Sequence, residues 1–171
     1  QVRWDGAWGA FQVAGVLHSV SAGYYGTAEN AGHPSNKWGY GVNTGIRINT
    51  PFVSPGDYFV ASMSYTQGNI VNATSANSGQ KLIWNGGTIA MGSTADGVYT
   101  TGGDIQLTTA WSAAAAYEHF WTPALQTSVY GSYLKVTYND VAQGLICNGA
   151  AGGFYGTVAA GCNANWSAWN V

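Results

Sequence analysis

Charged residues are scarce in this chain: only 7% of its 171 residues are Asp, Glu, Lys or Arg, against about 25% in an ordinary soluble domain. The net charge of −2 and the lack of any basic run argue against a nucleic-acid partner. No stretch approaches the roughly 20 consecutive apolar residues of a membrane-spanning helix. A membrane protein of this composition would therefore have to cross the bilayer with the strands of a closed barrel.

Catalytic and metal-binding motifs are also missing. The three histidines, His18, His33 and His119, are scattered and show no metal-ligand spacing. The sequence contains no phosphate-binding loop and no GxSxG or HExxH motif. We therefore expect no cofactor, no metal and no enzymatic activity. The one enzymatic alternative is an outer-membrane lipase that uses His119.

Cysteine is limited to two residues, Cys147 and Cys162. They lie in one segment rich in Gly, Ala and Asn, without a CxxC motif or a nearby histidine, so metal or redox chemistry is not expected. In an oxidising compartment the pair predicts a disulfide. Two free thiols are the alternative.

The feature that the chain does possess is a strict two-residue alternation, clearest in residues 37–49. Neighbouring side chains of a strand point to opposite faces, so this segment would have one apolar, aromatic face and one small, polar and cationic face. A sheet with lipid on one side and water on the other needs this pattern. The apolar positions are Trp38, Tyr40, Val42, Thr44, Ile46 and Ile48, and the others are Lys37, Gly39, Gly41, Asn43, Gly45, Arg47 and Asn49.

The same alternation predicts an all-β chain whose connections alternate between short and long, as in an antiparallel up-and-down transmembrane barrel with short periplasmic turns and long extracellular loops. The predicted strands are 1–5, 8–22, 37–49, 57–67, 105–121, 126–138 and 165–171. The predicted short turns are 6–7, 50–56 and 122–125, and the predicted long loops are 23–36, 68–104 and 139–164.

Strand parity assigns a set of polar side chains to one face, which would line a water-filled lumen. A lysine or arginine at the middle of the lipid face costs about 2–4 kcal/mol, so cations within a barrel strand are expected to face the lumen. The candidate pore-lining residues are Arg3, Gln12, His18, Asn43, Arg47, Ser62, Ser64, Glu118 and Lys135.

Aromatic residues concentrate near the predicted strand ends, as in the two aromatic girdles of membrane barrels. The ordinary preference of aromatic residues for strands is the alternative explanation. The candidate girdle residues are Trp4, Trp8, Trp38, Tyr65, Trp121 and Tyr138.

A secreted antiparallel β-sandwich would also alternate. Such a protein could be a carbohydrate-binding or adhesin module that stacks exposed Trp and Tyr rings on sugars. Against this alternative, a soluble sheet places charge on its exposed face, whereas here that face would carry Trp, Tyr, Ile and Phe, an apolar patch too large to face water.

Several segments resemble the alphaproteobacterial general porins, the family of the Brucella and rhizobial major porins. The most specific segment is YEHFWTP, Tyr117–Pro123, within the longer similar stretch 108–133. Further similarity lies in residues 5–19 (DGAWGAFQVAGVLHS), 36–49 (NKWGYGVNTGIRIN) and 55–67 (PGDYFVASMSYTQ).

This resemblance implies a sixteen-stranded barrel in the outer membrane of a Gram-negative bacterium, usually a homotrimer in contact with the lipid bilayer and lipopolysaccharide. It implies passive diffusion of small polar solutes and ions, without a nucleic-acid partner. Family members are longer than this chain, so we interpret it as the middle to C-terminal part of a porin, with about seven strands. On this interpretation the inward-folded constriction loop of the family would be missing.

Overall fold

The computed structural model describes residues 1–74, 80–85, 88–148 and 161–171. One antiparallel sheet contains nine strands in the order β1-β2-β3-β4-β9-β10-β11-β5-β6, and β7 pairs with β8 in a separate ribbon. The strands are β1 Val2–Gly6, β2 Gly9–Val20, β3 Lys37–Asn49, β4 Tyr58–Gln67, β5 Gln80–Asn85, β6 Thr88–Ser93, β7 Gly97–Val98, β8 Gln106–Leu107, β9 Thr109–Thr122, β10 Leu125–Thr137 and β11 Trp166–Asn170. The helices are α1 Val71–Thr74 and α2 Asp140–Cys147, and single 3-10 turns cover Tyr25–Thr27 and Glu29–Ala31.

The prediction of an antiparallel, all-β chain is confirmed. Six of the seven predicted strands correspond to β1–β4, β10 and β11, and the seventh, 105–121, is divided into β8 of the ribbon and β9 of the large sheet. In that sheet β1–β4 and β9–β11 are consecutive neighbours. The β5–β6 hairpin, formed within the predicted loop 68–104, joins the sheet beside β11 through the pair Ser167–Trp84. Parts of two predicted loops, residues 75–79, 86–87 and 149–160, lie outside the described residues.

The short connections lie together at one end of the sheet, because every second connection of an antiparallel sheet joins strands at the same end. The backbone N–H of Asn49 donates to the carbonyl of Trp8 over 2.7 Å, which links the first short turn to the second. The Ser54 hydroxyl donates to the carbonyl of Phe120 over 2.7 Å, which links the second turn to the third. We call this end of the sheet the short-connection end.

The long connections meet at the opposite end of the strands, which we call the long-connection end. The Tyr25 hydroxyl donates to the carbonyl of Gly103 over 2.9 Å. The Tyr99 hydroxyl donates to the carbonyl of Gly23 over 3.2 Å. A third contact, from the Asn139 side-chain amide to Gln106 Oε1 over 3.0 Å, ties in the last long connection.

Cross-strand register divides the sheet into two faces, since directly paired residues point to the same side. One face, here called the apolar face, carries large hydrophobic side chains that are largely exposed: Leu17 is 75% exposed, Trp38 71% and Trp169 72%. A continuous row of partners runs Val42–Tyr65–Trp111 across three strands. Other members of the apolar face are Phe11, Tyr40, Ile46, Ile48, Phe59, Met63, Tyr117, Val129 and Tyr133.

The opposite face, here called the polar face, is not polar along its whole length. At its long-connection end a small hydrophobic core covers β9, β10 and β11, with Ala110, Val136 and Trp166 as strand members. Helix α2 contributes Ala142 and Ile146 to this core. The other buried members are Ile70, Ala73, Val98 and Tyr138.

The segment that follows β4 crosses the polar face at a glycine pair. Gly68 adopts φ = +67°, a left-handed conformation that favours glycine. It turns the chain over Gly39, where an added Cβ would lie 2.5 Å from the Gly68 carbonyl oxygen. The two glycines therefore permit a close backbone approach that directs residues 94–108 onto the polar face.

Residues 94–108 pack onto the polar face, whose side chains the sequence predicts to line a lumen. Ile105 and Thr108 in this segment are almost fully buried. The sequence did not reveal this packing because it depends on Gly39 and Gly68, which are distant in the chain and meet only through the β3–β4 pairing.

The predicted disulfide is present between Cys147 and Cys162, with a Cα–Cα distance of 5.7 Å. It ties the last residue of α2 to the segment that leads into β11. Helix α2 begins at an Asn139 cap, whose side-chain oxygen accepts from the N–H of Ala142 over 2.8 Å. Among the described residues, neither helix is long and apolar enough to cross a membrane.

Candidate functional site

Polar side chains line a groove of about 490 Å³ on the polar face, at the centre and short-connection end of the sheet. Its polar side chains come from four adjacent strands, because residues two apart in one strand and paired residues in the next share a face. Six of the nine predicted lumen residues line this groove: Arg3, Gln12, Asn43, Arg47, Ser62 and Ser64.

Arg47 is the cation of the groove that has no acidic partner among the described residues. Its Nε donates to Asn49 Oδ1 over 3.2 Å, and its guanidinium carbon lies 3.9 Å from the centre of the Tyr58 ring. The amide and the aromatic ring orient the guanidinium without neutralising it. Arg47 can therefore attract an anion or a polar oxygen that enters the groove.

Arg3 is in a different electrostatic state, because Asp5 neutralises it. Two guanidinium nitrogens of Arg3 contact the Asp5 carboxylate, the closest pair at 2.7 Å. Both side chains are more than half exposed, so the pair contributes little to stability. Arg3 and Asp5 form a dipole at the edge of the groove, whereas Arg47 contributes a net charge.

Two other predicted residues lie on the polar face but outside the groove. Glu118, near the short-connection end, accepts a hydrogen bond from the Ser128 hydroxyl over 2.6 Å. His18, toward the long-connection end, lies with Nε2 3.2 Å from Asp96 Oδ2. Together with the Lys37–Asp104 pair at 3.8 Å, the His18 contact joins residues 94–108 to the sheet.

Lys135 is the one predicted lumen residue that the structure places on the wrong face. Its cross-strand partners are Trp111 in β9 and Ser167 in β11, so its side chain belongs to the apolar face. The sequence-based assignment failed because Leu134 and Val136 look like lipid-facing residues. In the structure Val136 is buried in the core on the polar face and Leu134 packs against that core.

The predicted aromatic girdle needs one similar correction. Trp4, Trp8 and Trp121 lie near the short-connection end, where the Trp4 and Trp8 rings are 6.0 Å apart. Trp38 and Tyr65 lie on the apolar face in its other half. Tyr138, however, is 7% exposed and belongs to the buried core, because α2 and the segment before β11 cover it.

A buried carboxylate at the short-connection end is a site that the sequence did not predict. Asp57 Oδ2 accepts from the Tyr117 hydroxyl over 2.9 Å and lies 2.7 Å from His119 Nδ1. Asp57 Oδ1 accepts from the backbone N–H of Phe120 over 2.8 Å. The His119 ring makes an edge contact with Trp121 at 4.3 Å between centroids.

Burial by itself would raise the pKa of Asp57, but the Phe120, His119 and Tyr117 hydrogen bonds and the nearby His119 charge outweigh it. The pKa of Asp57 is therefore lowered, and the carboxylate stays ionised. Asp57 and His119 resemble part of a hydrolase triad, yet no hydroxyl or thiol among the described residues hydrogen bonds with the imidazole. The cluster connects the turn after β3 to the end of β9.

The part of the chain that the structure describes contains no group of three or more His, Cys, Asp or Glu residues that could hold a metal ion. Comparison with known proteins gives no further assignment. No family model, no curated protein and no solved structure matches this chain.

Proposed function

We propose that this chain forms part of the wall of an outer-membrane porin, a water-filled channel for the passive diffusion of small polar solutes and ions. The observation that carries the proposal is the two-faced sheet. Its apolar face exposes large hydrophobic side chains such as Leu17 and Trp38, which would be unfavourable in water and favourable in lipid. Its polar face gathers Arg47 and five other polar side chains in one groove.

In this proposal the polar face is the lumen wall and residues 94–108 narrow the lumen at its long-connection end. The buried residues Ile105 and Thr108 hold that segment on the sheet, and the partly exposed His18–Asp96 and Lys37–Asp104 contacts add little to this packing. Passage then depends on size and charge, with Arg47 favouring anions and polar oxygens. The proposal includes a sixteen-stranded barrel, a homotrimer, the outer membrane of a Gram-negative bacterium and contact with lipopolysaccharide.

The alternative, a carbohydrate-binding β-sandwich, would need a second sheet against the apolar face. Among the described strands, the second sheet is only the β7–β8 ribbon, and Val98 of β7 packs into the core on the polar face. A lipase that uses His119 would need a nucleophile beside the imidazole. The contacts of Asp57 and His119 support a structural role.

The deciding experiment is planar-bilayer conductance of the natural full-length protein that carries this chain, extracted in detergent from its membrane. We expect stable conductance steps that close in threes at high voltage. A folded protein that leaves the bilayer silent would contradict the channel and favour the carbohydrate-binding module.

The same recordings test the role of Arg47. In a salt gradient, Arg47→Gln should change the reversal potential in the direction of greater cation selectivity, because it removes positive charge from the lumen wall. Arg47→Glu should change it further, since it also adds a negative charge. Lys135→Gln is the matched control, since it removes one positive charge from the opposite face. Equal shifts in the Arg47 and Lys135 variants would show that the faces are wrongly assigned.

A further inference from the structure

We propose that the polar face carries a subsite for a small zwitterion, an α-amino acid, between Arg47 and Glu118. The Arg47 guanidinium binds the carboxylate of the solute, and the Glu118 carboxylate binds its ammonium group. This inference rests on the proposed function, because it requires that the polar face meet the solutes that pass through the lumen. It names the class of solute that this wall retains.

Arg47 and Glu118 are opposite charges on the same face of the sheet. Arg47 of β3 pairs with Val60 of β4, Val60 pairs with Ala116 of β9, and Glu118 lies two residues beyond Ala116. Their strands are separated by β4, so the two backbones are about 9.5 Å apart across the sheet. Among the described residues, neither side chain forms an ion pair. The two charges are therefore close enough to contact one solute but do not neutralise each other.

Tyr58 lies between the two charges. It is the direct cross-strand partner of Glu118, and the centre of its ring lies 3.9 Å from the guanidinium carbon of Arg47. Arg47 Nε donates to Asn49 Oδ1 over 3.2 Å. These contacts hold the guanidinium over the ring. Because the hydrogen bond to Asn49 uses Nε, the two terminal nitrogens can make a bidentate contact with a carboxylate of the solute.

Glu118 has one carboxylate oxygen without a hydrogen-bond donor. The Ser128 hydroxyl donates to Oε1 over 2.6 Å, whereas Oε2 is buried and has no partner. A carboxylate oxygen that lacks both water and a donor is unfavourable, and an ammonium group supplies a donor of opposite charge. Glu118 as a whole is only half-buried. Rotation about its terminal torsion, which is broad in glutamate, can therefore turn Oε2 toward the solute.

The space beside these charges suits a small solute. A depression of about 240 Å³ adjoins the groove on the polar face, and Val60 lines both. Ala116 and Tyr130 also line the depression; they are cross-strand partners, and Tyr130 is 59% exposed. Its volume is below the roughly 300–1,000 Å³ of pockets for drug-sized ligands. The apolar side chain of an amino acid can pack in it while the two charged groups reach Arg47 and Glu118.

A single ion is the competing occupant of this site. An anion bound at Arg47 is repelled by the nearby Glu118 carboxylate, and a cation bound at Glu118 is repelled by Arg47. A zwitterion avoids both repulsions, because each of its charged groups faces the opposite charge. The unpaired state of both side chains therefore favours a zwitterion over either single ion.

The test compares three solutes of similar size in planar-bilayer recordings of the natural full-length protein at pH 7. They are leucine, which carries both charges, 4-methylpentanoate, which lacks the ammonium group, and 3-methylbutylamine, which lacks the carboxylate. We expect leucine to block the ion current at about tenfold lower concentration than either analogue, because each analogue loses one charge-assisted hydrogen bond. An analogue as potent as leucine would show a single-ion site and overturn the proposal.

Two variants assign the two charged groups. Arg47→Gln should weaken the block by leucine about tenfold without weakening that by 3-methylbutylamine. Glu118→Gln should weaken the block by leucine to a similar extent without weakening that by 4-methylpentanoate. The matched controls are Lys135→Gln on the opposite face and Glu29→Gln in an exposed 3-10 turn, which should leave all three solutes unaffected. Equal effects in the controls would show that net charge alone acts, and would overturn the subsite.

Failure of the subsite and failure of the channel give different results. If the protein conducts but does not prefer leucine, the subsite is wrong and the channel stands. If the bilayer is silent, titration calorimetry of the detergent-extracted protein with the same three solutes decides. A tenfold preference for leucine would then support the subsite without the channel, and no preference would mean that both proposals fail.

Discussion

At the short-connection end, Asp57 is a residue that is both buried and charged. The Asp57 carboxylate is buried, but three donors surround it: the Tyr117 hydroxyl, His119 Nδ1 and the Phe120 N–H. Its ionised form is thus favoured by the fold, and its lowered pKa links the stability of this end to pH. Neutral Asn in the same place would lose the charge and part of the accepting capacity.

We predict that Asp57→Asn lowers the stability of the protein at pH 7 and has a smaller effect at pH 3. A carboxyl with a lowered folded-state pKa contributes stability above its unfolded pKa of about 3.9, and this contribution is lost as the pH falls through the folded-state pKa. Denaturant unfolding of wild type and variant in detergent, at both pH values, measures the difference.

Glu29→Gln is the control for Asp57→Asn, since Glu29 lies exposed in a 3-10 turn and should change stability little at either pH. An Asp57→Asn effect that is equal at pH 7 and pH 3 would show that the ionised carboxylate is not the source of the stability.

At the scale of elements, glycines and a disulfide determine how the long connections pack. Gly39 and Gly45 lie on the same face of β3, but their surroundings differ. A Cβ at Gly39 would lie 2.5 Å from the Gly68 oxygen, whereas a Cβ at Gly45 would meet only the Ala61 oxygen at 3.9 Å. The two positions therefore form a matched pair for testing the segment that crosses the polar face.

We predict that Gly39→Ala displaces residues 94–108 from the polar face and destabilises the fold by about 1–3 kcal/mol, the usual cost of overpacking. Gly45→Ala should be tolerated. Limited proteolysis followed by mass spectrometry should detect new cleavage within 94–108 in the first variant only. Equal protection in both variants would contradict the close approach of Gly68 to Gly39.

The disulfide belongs to the same scale, because it holds α2 beside β11. We predict that replacing both Cys147 and Cys162 by Ser lowers the free energy of unfolding by roughly 3 kcal/mol, as expected for a closed loop of about 15 residues. Denaturant unfolding with and without reductant measures this. Reductant should lower the stability of the wild type and have no effect on the double variant; a wild type insensitive to reductant would contradict the prediction.

At the scale of the whole molecule, the proposed channel requires that the two faces of one sheet meet different surroundings. Ala61 and Ser62 are consecutive residues of β4 on opposite faces: Ala61 pairs with Ile46 and Ala115, and Ser62 pairs with Gly45 and Ala114. Both lie near the middle of β4. Lysine substitutions at these two positions therefore test which face meets lipid.

We predict that Ala61→Lys reduces the yield of folded, membrane-inserted protein, because a lysine near the middle of a lipid face costs about 2–4 kcal/mol. Ser62→Lys should insert normally, since it adds a cation to the face that is proposed to line the water-filled lumen. Flotation with vesicles and the shift in gel mobility on heating measure insertion. Normal insertion of Ala61→Lys would exclude lipid contact at this face.

The sequence by itself determined the features that depend on neighbours along the chain. Alternation located the seven main strands and placed six groove residues, from Arg3 to Ser64, on one face, since side-chain direction in a strand follows directly from position. The isolated cysteine pair was sufficient to predict the disulfide.

Only the tertiary structure decided the features that depend on register and on distant contacts. Lys135 and Tyr138 were misplaced because the pairing of β10 with β9 and β11, not alternation within β10, determines which side is covered by α2. The Asp57–His119 cluster and the crossing at Gly39 join residues far apart in sequence. Local periodicity carries no information about such partners, because they are brought together only when the sheet assembles.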